Sequence, residues 1–397
     1  MKKILFIGMS LNIGGAEKSL VNLLNMIDYK QYSVDLLLFQ RKGAFLKQIP
    51  NGVRVIEIPE ITILFQSAWE SLKSKDIIVS RKKLILDRYL FSALCKIKWK
   101  QFDQIRLNRW LKYYTKLIPQ NKKVYDVAIA YAGGECAYYM FDKVNAKKKV
   151  YYFHSDYSRI NIDVELEKNY VDKSDLIVTI SDKCKESLIE LFPEVSDRIV
   201  VLQNLSSEQL IKNLSNEYYP SEFEVDCDVL KIVSVGRLIN IKGYDMAIKA
   251  ADILKQKSYK FIWVVVGEGN ERKKLEQLIQ KYKVSECFKL IGLRENPYPY
   301  IKNADVLLQT SRFEGKSVVL DEAKILKTPI IATNYNSVND QIKNNYDGLI
   351  TNMTPEAIAE GITRCSRENL NFWKKHMQVS KDICNIDYYM NILTGDK

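Results

Sequence analysis

Residues 306–323 read VLLQTSRFEGKSVVLDEA, an apolar run of strand length followed by a polar turn and a helix-forming segment. Similar apolar runs recur along the chain, and apolar strands that alternate with helices indicate a parallel sheet covered on both faces. The first series of predicted strands lies at 4–9, 34–39, 53–58, 124–131, 150–153, 176–180 and 199–202. The second series lies at 231–235, 261–266, 288–291, 306–309, 329–332 and 348–350.

A polar stretch at 206–228 separates the two series and has the composition of a linker. A chain of 397 residues is also long enough for two domains of ordinary size. The sequence therefore predicts an α/β protein with two doubly wound Rossmann-like domains at 1–205 and 229–369. A helical tail at 370–397 follows, with a last helix at 373–389. Because ligands bind beyond the carboxyl ends of parallel strands, we expect an active site in a cleft that both domains face.

The composition argues against a membrane span and against a metal centre. No segment approaches the roughly 20 apolar residues that a span needs, and none has the features of a signal peptide. The seven cysteines are scattered, so we expect reduced thiols and a cytoplasmic protein. His154 and His376 are the only histidines, too few for the usual zinc and iron sites.

Two short motifs imitate ligand sites. Asp226-Cys227-Asp228 looks like a metal-binding DxD motif, but it precedes the first strand of a domain. Gly267-Glu268-Gly269 lacks the third glycine of a dinucleotide-binding loop. We therefore predict no metal and no dinucleotide cofactor.

The segment at 60–123 carries fifteen lysines and arginines against five acidic residues, so most of the net charge of +12 is located here. Aromatic, apolar and basic residues recur within it at helical spacing, namely Trp110, Tyr113, Tyr114 and Leu117 beside Arg109, Lys112 and Lys116. This pattern is typical of a helix on an anionic membrane surface and predicts a peripheral contact through 73–123. A solvated helix packed on its own sheet would have the same pattern, so both interpretations stay open. No nucleic-acid-binding motif is found, and we expect no such partner.

Residues suited to chemistry are concentrated after the strand at 306–309. Glu314 lies just past the strand, and Glu322 lies eight residues further on, two turns into the helix. Gly315 allows close approach of a ligand to the backbone, and free N–H groups at 317–319 can hold a diphosphate. Glu322 can accept hydrogen bonds from ribose hydroxyls, while Glu314 can bind a hydroxyl of a second sugar.

Other candidates follow strands elsewhere. Arg237 and Lys242 lie in the turn after the strand at 231–235, and their charges suit a departing diphosphate. His154 ends a strand of the first domain, and Gly14-Gly15 opens its first helix. Each feature alone has a plain structural explanation as a surface charge, a salt-bridge partner, a satisfied histidine or a turn. Their combination around one predicted cleft favours a functional role.

The sequence resembles glycosyltransferase family 4. The Gly-Gly loop, the strand-end histidine, Gly-Arg followed by Lys-Gly, and EGKSVVLDE at 314–322 occur in the order of that family, and the resemblance covers nearly the whole chain except the basic insertion and the tail. It implies a GT-B fold in which the second domain binds the nucleotide-sugar. The chain departs from the family pattern at Lys316 and Asp321, where apolar or small residues are usual, and near Lys327, where glycine is frequent.

The resemblance also implies roles for individual residues. Arg237 and Lys242 would bind the donor diphosphate, Glu314 the donor sugar and Glu322 the ribose. His154 would contact the transferred sugar or the acceptor. The implied catalytic residues are His154, Arg237, Lys242 and Glu314, and the implied donor-binding residues are Gly15, Gly236, Leu293, Arg294, Gly315, Lys316, Ser317, Val318, Val319 and Glu322. Among these, the turn at Leu293 and Arg294 would hold the base.

The implied function is transfer of a sugar, with retention and without a metal or cofactor, from a UDP- or GDP-linked donor, UDP being favoured. The implied acceptor is a glycan or polyprenyl-linked glycan in cell-surface polysaccharide biosynthesis, such as assembly of capsule or O-antigen. The basic insertion favours an enzyme that acts at the inner face of the cell membrane. Two other classes stay open: a non-catalytic GT-B subunit that stabilises another transferase, and a sugar-nucleotide epimerase of similar fold.

Overall fold

The computed structural model describes residues 1–12, 14–65, 84, 86, 88–95, 102–154, 164–314, 316–379 and 385–395. The chain divides into two compact units, Met1–Leu205 with Asn385–Lys397, and Ser206–Cys384. Each unit is built on one parallel sheet with helices between successive strands. This is the arrangement that the alternation of apolar strands and helices predicts.

Within its described residues, the first unit has a seven-stranded sheet in the order β3-β2-β1-β4-β5-β6-β7. Its strands are β1 (Lys2–Gly8), β2 (Tyr32–Leu38), β3 (Val53–Ile56), β4 (Val124–Ala130), β5 (Asn145–Phe153), β6 (Leu176–Thr179) and β7 (Ile199–Val201). All neighbouring pairs are parallel. The order reverses between β1 and β4, and such reversals are where doubly wound sheets bind ligands.

The second unit shows six strands in its described part, in the order β10-β9-β8-β11-β12-β13. They are β8 (Leu230–Val235), β9 (Phe261–Val266), β10 (Phe288–Gly292), β11 (Val306–Gln309), β12 (Ile330–Thr333) and β13 (Leu349–Thr351). Every residue of β9, FIWVVV, is buried, because helices cover both faces of the sheet. The order reverses between β8 and β11, the two strands that precede most of the candidate residues.

The helices follow the strands in regular alternation. They are α1 (Gly15–Met26), α2 (Pro59–Phe65), α3 (Phe102–Arg109), α4 (Glu135–Lys143), α5 (Val164–Val171), α6 (Asp182–Leu191), α7 (Glu208–Leu214), α8 (Tyr244–Gln256), α9 (Arg272–Lys281), α10 (Tyr298–Asn303), α11 (Val318–Ile325), α12 (Pro355–Thr363), α13 (Arg367–His376) and α14 (Ile386–Thr394). None of the helices in the described part of the chain combines the length and apolarity needed to cross a bilayer.

The end of the chain differs from the prediction of one helix at 373–389. Helix α13 stops at His376 because Met377 is extended, with φ −61° and ψ 126°, and α14 begins separately at Ile386. Helix α14 belongs to the first unit, where the Tyr152 hydroxyl donates a hydrogen bond to the Tyr389 hydroxyl at 2.7 Å. The last helix is therefore a structural part of the first unit.

In the basic insertion, α3 continues as helical turns at Trp110–Tyr114 and Thr115–Leu117, and part of this stretch packs into the first unit. Trp110 and Tyr114 are buried in the core of the first unit, and the indole nitrogen of Trp110 donates to Asp142 at 2.7 Å. Arg109 forms an ion pair at 2.9 Å with the buried Glu135. Trp110 and Tyr114 therefore do not face a membrane, because they are used for internal packing. The predicted peripheral contact through 73–123, which lies partly outside the described residues, stays a prediction.

Candidate active site

The turns after β8 and β11 meet at the carboxyl edge of the second sheet. Gly243 has φ +68°, and a Cβ atom there would lie 2.0 Å from the carbonyl oxygen of Thr310. The Thr310 hydroxyl donates to the Lys242 carbonyl oxygen at 2.8 Å. Because a side chain at position 243 would separate the two turns, the Lys-Gly sequence brings Lys242 beside the segment that carries Glu314.

Lys242 and Glu314, both predicted catalytic residues, are brought into direct contact. The Lys242 ammonium lies 2.5 Å from Glu314 Oε1, and both side chains are largely shielded from solvent. The same carboxylate oxygen accepts hydrogen bonds from Ser311 Oγ at 2.6 Å and from Gln309 Nε2 at 2.9 Å. Three donors therefore fix one oxygen of Glu314 at this edge.

Gln309, the last residue of β11, was not indicated by the sequence patterns. Its Nε2 donates to Glu314, and its Oε1 accepts from Ser317 Oγ at 2.7 Å. One buried amide thus holds both ends of the turn at 314–317. The available signal was a polar residue at the end of an otherwise apolar strand, just before the turn that carries the motif. Gly315, within that turn, lies outside the described residues.

The start of α11 was predicted to offer free amide groups from 317 to 319. The Ser317 amide is not free, because it donates to Gln341 Oε1 at 2.9 Å, while Gln341 Nε2 donates back to the Ser317 carbonyl at 2.9 Å. Val318 and Val319 are the first two residues of α11, so their N–H groups have no acceptor within the helix. The predicted set of amide donors is therefore reduced to these two at the helix start.

Glu322 lies on the inner side of α11 and is completely buried. The Tyr298 hydroxyl donates to its Oε1 at 3.2 Å, and burial together with this carboxylate raises the pKa of Tyr298. The Glu322 carboxylate, which was predicted to bind ribose hydroxyls, therefore already accepts a hydrogen bond from the protein.

The departures from the family pattern have structural explanations. Lys316 and Asp321 lie 3.8 Å apart as an ion pair, and Asp321 also accepts a hydrogen bond from Gln341 at 3.1 Å. Burial raises the pKa of Asp321, and Lys316 opposes this effect. Lys327 has φ +56°, a conformation that glycine adopts without strain.

Arg237 and Gly236 follow β8 at the same edge. Arg237 is exposed, and among the residues that the structure describes it has no carboxylate partner. A Cβ atom on Gly267 would lie 1.9 Å from the Gly236 carbonyl oxygen, so Gly267 is needed for close contact between two turns. Gly267 of the Gly267-Glu268-Gly269 motif thus has a packing role at this edge.

Leu293 and Arg294 lie beyond β10, two strands away from β8. Leu293 is exposed, and Arg294 Nη1 donates to the Ile291 carbonyl at 2.6 Å. Arg294 Nη2 lies 3.8 Å from Glu222. The structure therefore places this turn at the carboxyl edge of the second sheet, separate from the Lys242–Glu314 contact.

Two predicted residues belong to the first unit. Gly15 is exposed, and no atom lies within 4 Å of the position a Cβ would take. The His154 ring stacks on Tyr152, with centroids 5.2 Å apart, and packs at 4.6 Å from Tyr131. Neither ring nitrogen has a hydrogen-bond partner of normal geometry among the described residues. Burial lowers the pKa of His154 to about 4, so the imidazole is neutral near pH 7.

The described residues include no group of three or more His, Cys, Asp or Glu side chains arranged to hold a metal ion. In the Asp226-Cys227-Asp228 motif, Asp228 forms an ion pair with Lys260 at 2.5 Å. The motif lies just before β8, where the sequence context predicted no metal site.

Residues 219–382 match the family model described as glycosyl transferases group 1. The matched range covers most of the second unit, including Lys242, Glu314 and Gln309. A curated relative, the amylovoran biosynthesis glycosyltransferase AmsK of Erwinia amylovora, is 27% identical over 263 residues, and the alignment covers 62% of each chain. The N-acetylgalactosamine-N,N'-diacetylbacillosaminyl-diphospho-undecaprenol 4-alpha-N-acetylgalactosaminyltransferase of Campylobacter jejuni is 26% identical over 339 residues, which cover 85% of this chain and 82% of that protein.

Among solved structures, HepE of Anabaena in complex with UDP and glucose is similar, with a TM-score of 0.65 at 17% identity. The alignment covers 98% of this chain and 100% of that one. The fold is GT-B. The fold class predicted from the sequence is therefore confirmed, with two parallel α/β units in one chain.

Proposed function

We propose that this chain is a retaining glycosyltransferase of family 4 that transfers a sugar from a nucleotide-sugar, with a UDP-sugar favoured, to a glycan or polyprenyl-linked glycan. The observation that carries the proposal is the Lys242–Glu314 contact at the switch point of the second sheet. A cation for the diphosphate and a carboxylate for a sugar hydroxyl are thus adjacent, as transfer from such a donor requires. The match at 219–382 and the names of the relatives support the same class.

In the proposed reaction, the bond between the anomeric carbon and the diphosphate oxygen breaks while the acceptor oxygen bonds to the same face of that carbon. The acceptor proton passes to a donor phosphate oxygen, and the nucleoside diphosphate leaves. Arg237 and Lys242 stabilise the negative charge that develops on this leaving group, without an obligatory metal. Glu314 holds a hydroxyl of the sugar, and Glu322 binds the ribose.

The acceptor is proposed from the relatives. The printed name of the Campylobacter jejuni enzyme contains a diphospho-undecaprenol acceptor, and AmsK is named for amylovoran biosynthesis. We infer an acceptor of the same chemistry here, used in surface-polysaccharide synthesis such as capsule or O-antigen assembly. Such an acceptor is embedded in the membrane, so the enzyme would work as a peripheral protein at its cytoplasmic face.

The test is incubation of the purified chain with a panel of nucleotide-sugars in EDTA, with and without a lipid-linked glycan extract. We expect release of a nucleoside diphosphate from one donor, a product with retained anomeric configuration by NMR, and loss of release in Glu314→Ala. Glu276→Ala is the matched control, because Glu276 forms a surface ion pair with Arg272 on α9. Conversion of the donor without acceptor would instead indicate an epimerase, and neither release nor nucleotide binding would indicate a non-catalytic subunit.

A further inference from the structure

Three rings contact one another at the end of β5 in the first unit. The ring centroids of Tyr131 and Tyr152 lie 4.6 Å apart, and the imidazole of His154 lies 4.6 Å from Tyr131 and 5.2 Å from Tyr152. Tyr152 and His154 are two positions apart at the end of a strand, so their side chains lie on the same side, and Tyr131 follows the neighbouring strand β4. We call Tyr131, Tyr152 and His154 the ring cluster.

The two tyrosines hold the His154 imidazole. Within the described part of the chain, no group pairs with either ring nitrogen in normal geometry. The backbone of Tyr131 acts on the imidazole as well as its ring, because hydrogen bonding to it opposes the larger effect of burial on the pKa of His154. The orientation of the imidazole therefore depends on how firmly the rings of Tyr131 and Tyr152 are held.

Hydrogen bonds at the hydroxyl ends of these rings reach two helices. The Tyr152 hydroxyl donates to the Tyr389 hydroxyl on α14 at 2.7 Å, and the Tyr131 hydroxyl lies 2.8 Å from Ser19 Oγ on α1. Tyr389 also shares a hydrogen bond with Tyr131, so one hydroxyl joins both rings. Burial raises the pKa of all three tyrosines, so their hydroxyls keep their protons at neutral pH. Because all four side chains are buried, loss of one hydroxyl leaves its partners without a replacement from water.

We propose that Tyr389 is a positioning residue for His154 in sugar transfer. Its hydroxyl fixes the rings of Tyr131 and Tyr152, and these rings set the orientation of the imidazole. The role rests on the proposed function and on the predicted contact of His154 with the transferred sugar or the acceptor. A misplaced reacting group lowers the rate of the chemical step even when binding is preserved, so the last helix would contribute to turnover from a distance.

Anchoring of α14 alone is the competing explanation, and the helix has other contacts that serve this purpose. The Lys148 ammonium donates to the Ile392 carbonyl oxygen at 2.8 Å, and Met390 and Leu393 are buried. If Tyr389 served only to anchor the helix, loss of its hydroxyl would lower thermal stability and leave the His154 imidazole unchanged. The two explanations therefore differ in what happens at the imidazole.

The experiment compares Tyr389→Phe with Tyr388→Phe, which removes the hydroxyl of the neighbouring tyrosine of α14, a side chain that is 59% exposed. Both variants are made in His376→Gln, so the remaining imidazole signal in the NMR spectrum belongs to His154. Aromatic rings shift the signals of nearby protons, so a change in the position of the tyrosine rings moves the His154 signals. We expect such a movement in Tyr389→Phe and none in Tyr388→Phe.

Kinetics with the donor and acceptor of the proposed reaction give the second readout. In Tyr389→Phe, kcat should fall about three- to tenfold while donor KM changes little, because the donor still binds and only a reacting group is misplaced. Tyr388→Phe should keep the kcat of its parent. Tyr152→Phe removes the same hydrogen bond from the other side, so the double variant with Tyr389→Phe should be no slower than Tyr389→Phe alone.

Unchanged His154 signals in Tyr389→Phe would overturn the proposal, as would moved signals with an unchanged kcat. Losses that multiply in the double variant would contradict a shared path through the hydroxyls. If Tyr389→Phe does not fold, Tyr152→Phe should show the same movement of the signals and the same loss of kcat, and its failure to do so would count against the role equally. Moved signals in a protein that releases no nucleoside diphosphate from any donor would support the hold of Tyr389 on His154 and count against the proposed function.

Discussion

The ammonium of Lys242 lies 2.5 Å from Glu314 Oε1, so the cation after β8 and the carboxylate after β11 neutralise each other. In the proposed function both groups serve the donor, one at the diphosphate and the other at the sugar. A diphosphate that binds Lys242 must therefore compete with Glu314 for the ammonium. The two residues should consequently affect nucleotide binding in opposite directions.

Glu314→Gln should bind the free nucleoside diphosphate about three- to tenfold more tightly, because the variant removes a competing negative charge from a partly shielded ion pair. Sugar transfer should nevertheless fall, since a contact to the donor sugar is weakened. Calorimetric titration with UDP and GDP measures the first effect, and release of nucleoside diphosphate measures the second. Glu276→Gln on α9 is the control and should change neither. Weaker nucleotide binding in Glu314→Gln would contradict the competition.

Gln309→Leu should lower kcat by about tenfold to a hundredfold while donor KM changes little, because Glu314 loses a hydrogen bond that positions it in the transition state. The variant Gln309→Glu distinguishes a role in positioning Glu314 from a role in packing alone, because it keeps the size of the side chain. Its second carboxylate repels Glu314 when ionised but can donate a hydrogen bond to it when protonated. The activity deficit of Gln309→Glu relative to wild type should therefore shrink as pH falls toward 5, and a deficit independent of pH would contradict the positioning role.

Much of the second sheet was predictable because its strands are buried on both faces. The predicted strand at 261–266 coincides with β9, and the one at 306–309 coincides with β11. In a parallel sheet, apolar residues occupy consecutive positions, so such runs define strand limits well. Strand order then brought the turns that carry Lys242 and Glu314 to one edge, as expected for a switch point.

Features set by tertiary contacts were less predictable. The helical period around Trp110 identified an apolar side, but a period alone does not tell whether that side faces the core or a membrane. The Ser317 amide donates a hydrogen bond to Gln341, which lies 24 residues further along the chain. No local sequence pattern indicates this pairing. Gln309 was overlooked for a related reason. Its two partners, Glu314 and Ser317, come within hydrogen-bond distance only in the folded structure.

Arg237→Ala should reduce turnover by about a hundredfold, the cost of losing one electrostatic donor to a transition state. Thermal stability should change little, because Arg237 is exposed and has no carboxylate partner among the described residues. Arg237→Lys keeps the charge but loses the bidentate hydrogen bonding of the guanidinium group, so it should recover only part of the rate. Lys274→Ala, which removes a surface ion pair with Glu271, is the control. Unchanged turnover in Arg237→Ala would remove this residue from the proposed mechanism.

His154 should contribute to an acid-sensitive stability of the first unit. Burial lowers its pKa to about 4 in the folded chain, whereas an unfolded histidine has a pKa near 6.5. The unfolded chain therefore takes up the proton first. The contribution to the free energy of unfolding is complete above about pH 6.5 and is lost as pH falls toward 4, by up to about 3 kcal/mol.

His154→Gln should remove this part of the pH dependence, so the difference in unfolding free energy between wild type and variant should change between pH 6.5 and 4. Taking the difference between the two proteins cancels the contribution to the unfolding free energy from carboxylates that titrate in the same range. The chain has only two histidines, so in His376→Gln the remaining imidazole signal reports His154 directly by NMR. A titration midpoint near 6.5 for that signal would mean that water reaches the ring. It would contradict the prediction of a buried, neutral imidazole stacked on Tyr152.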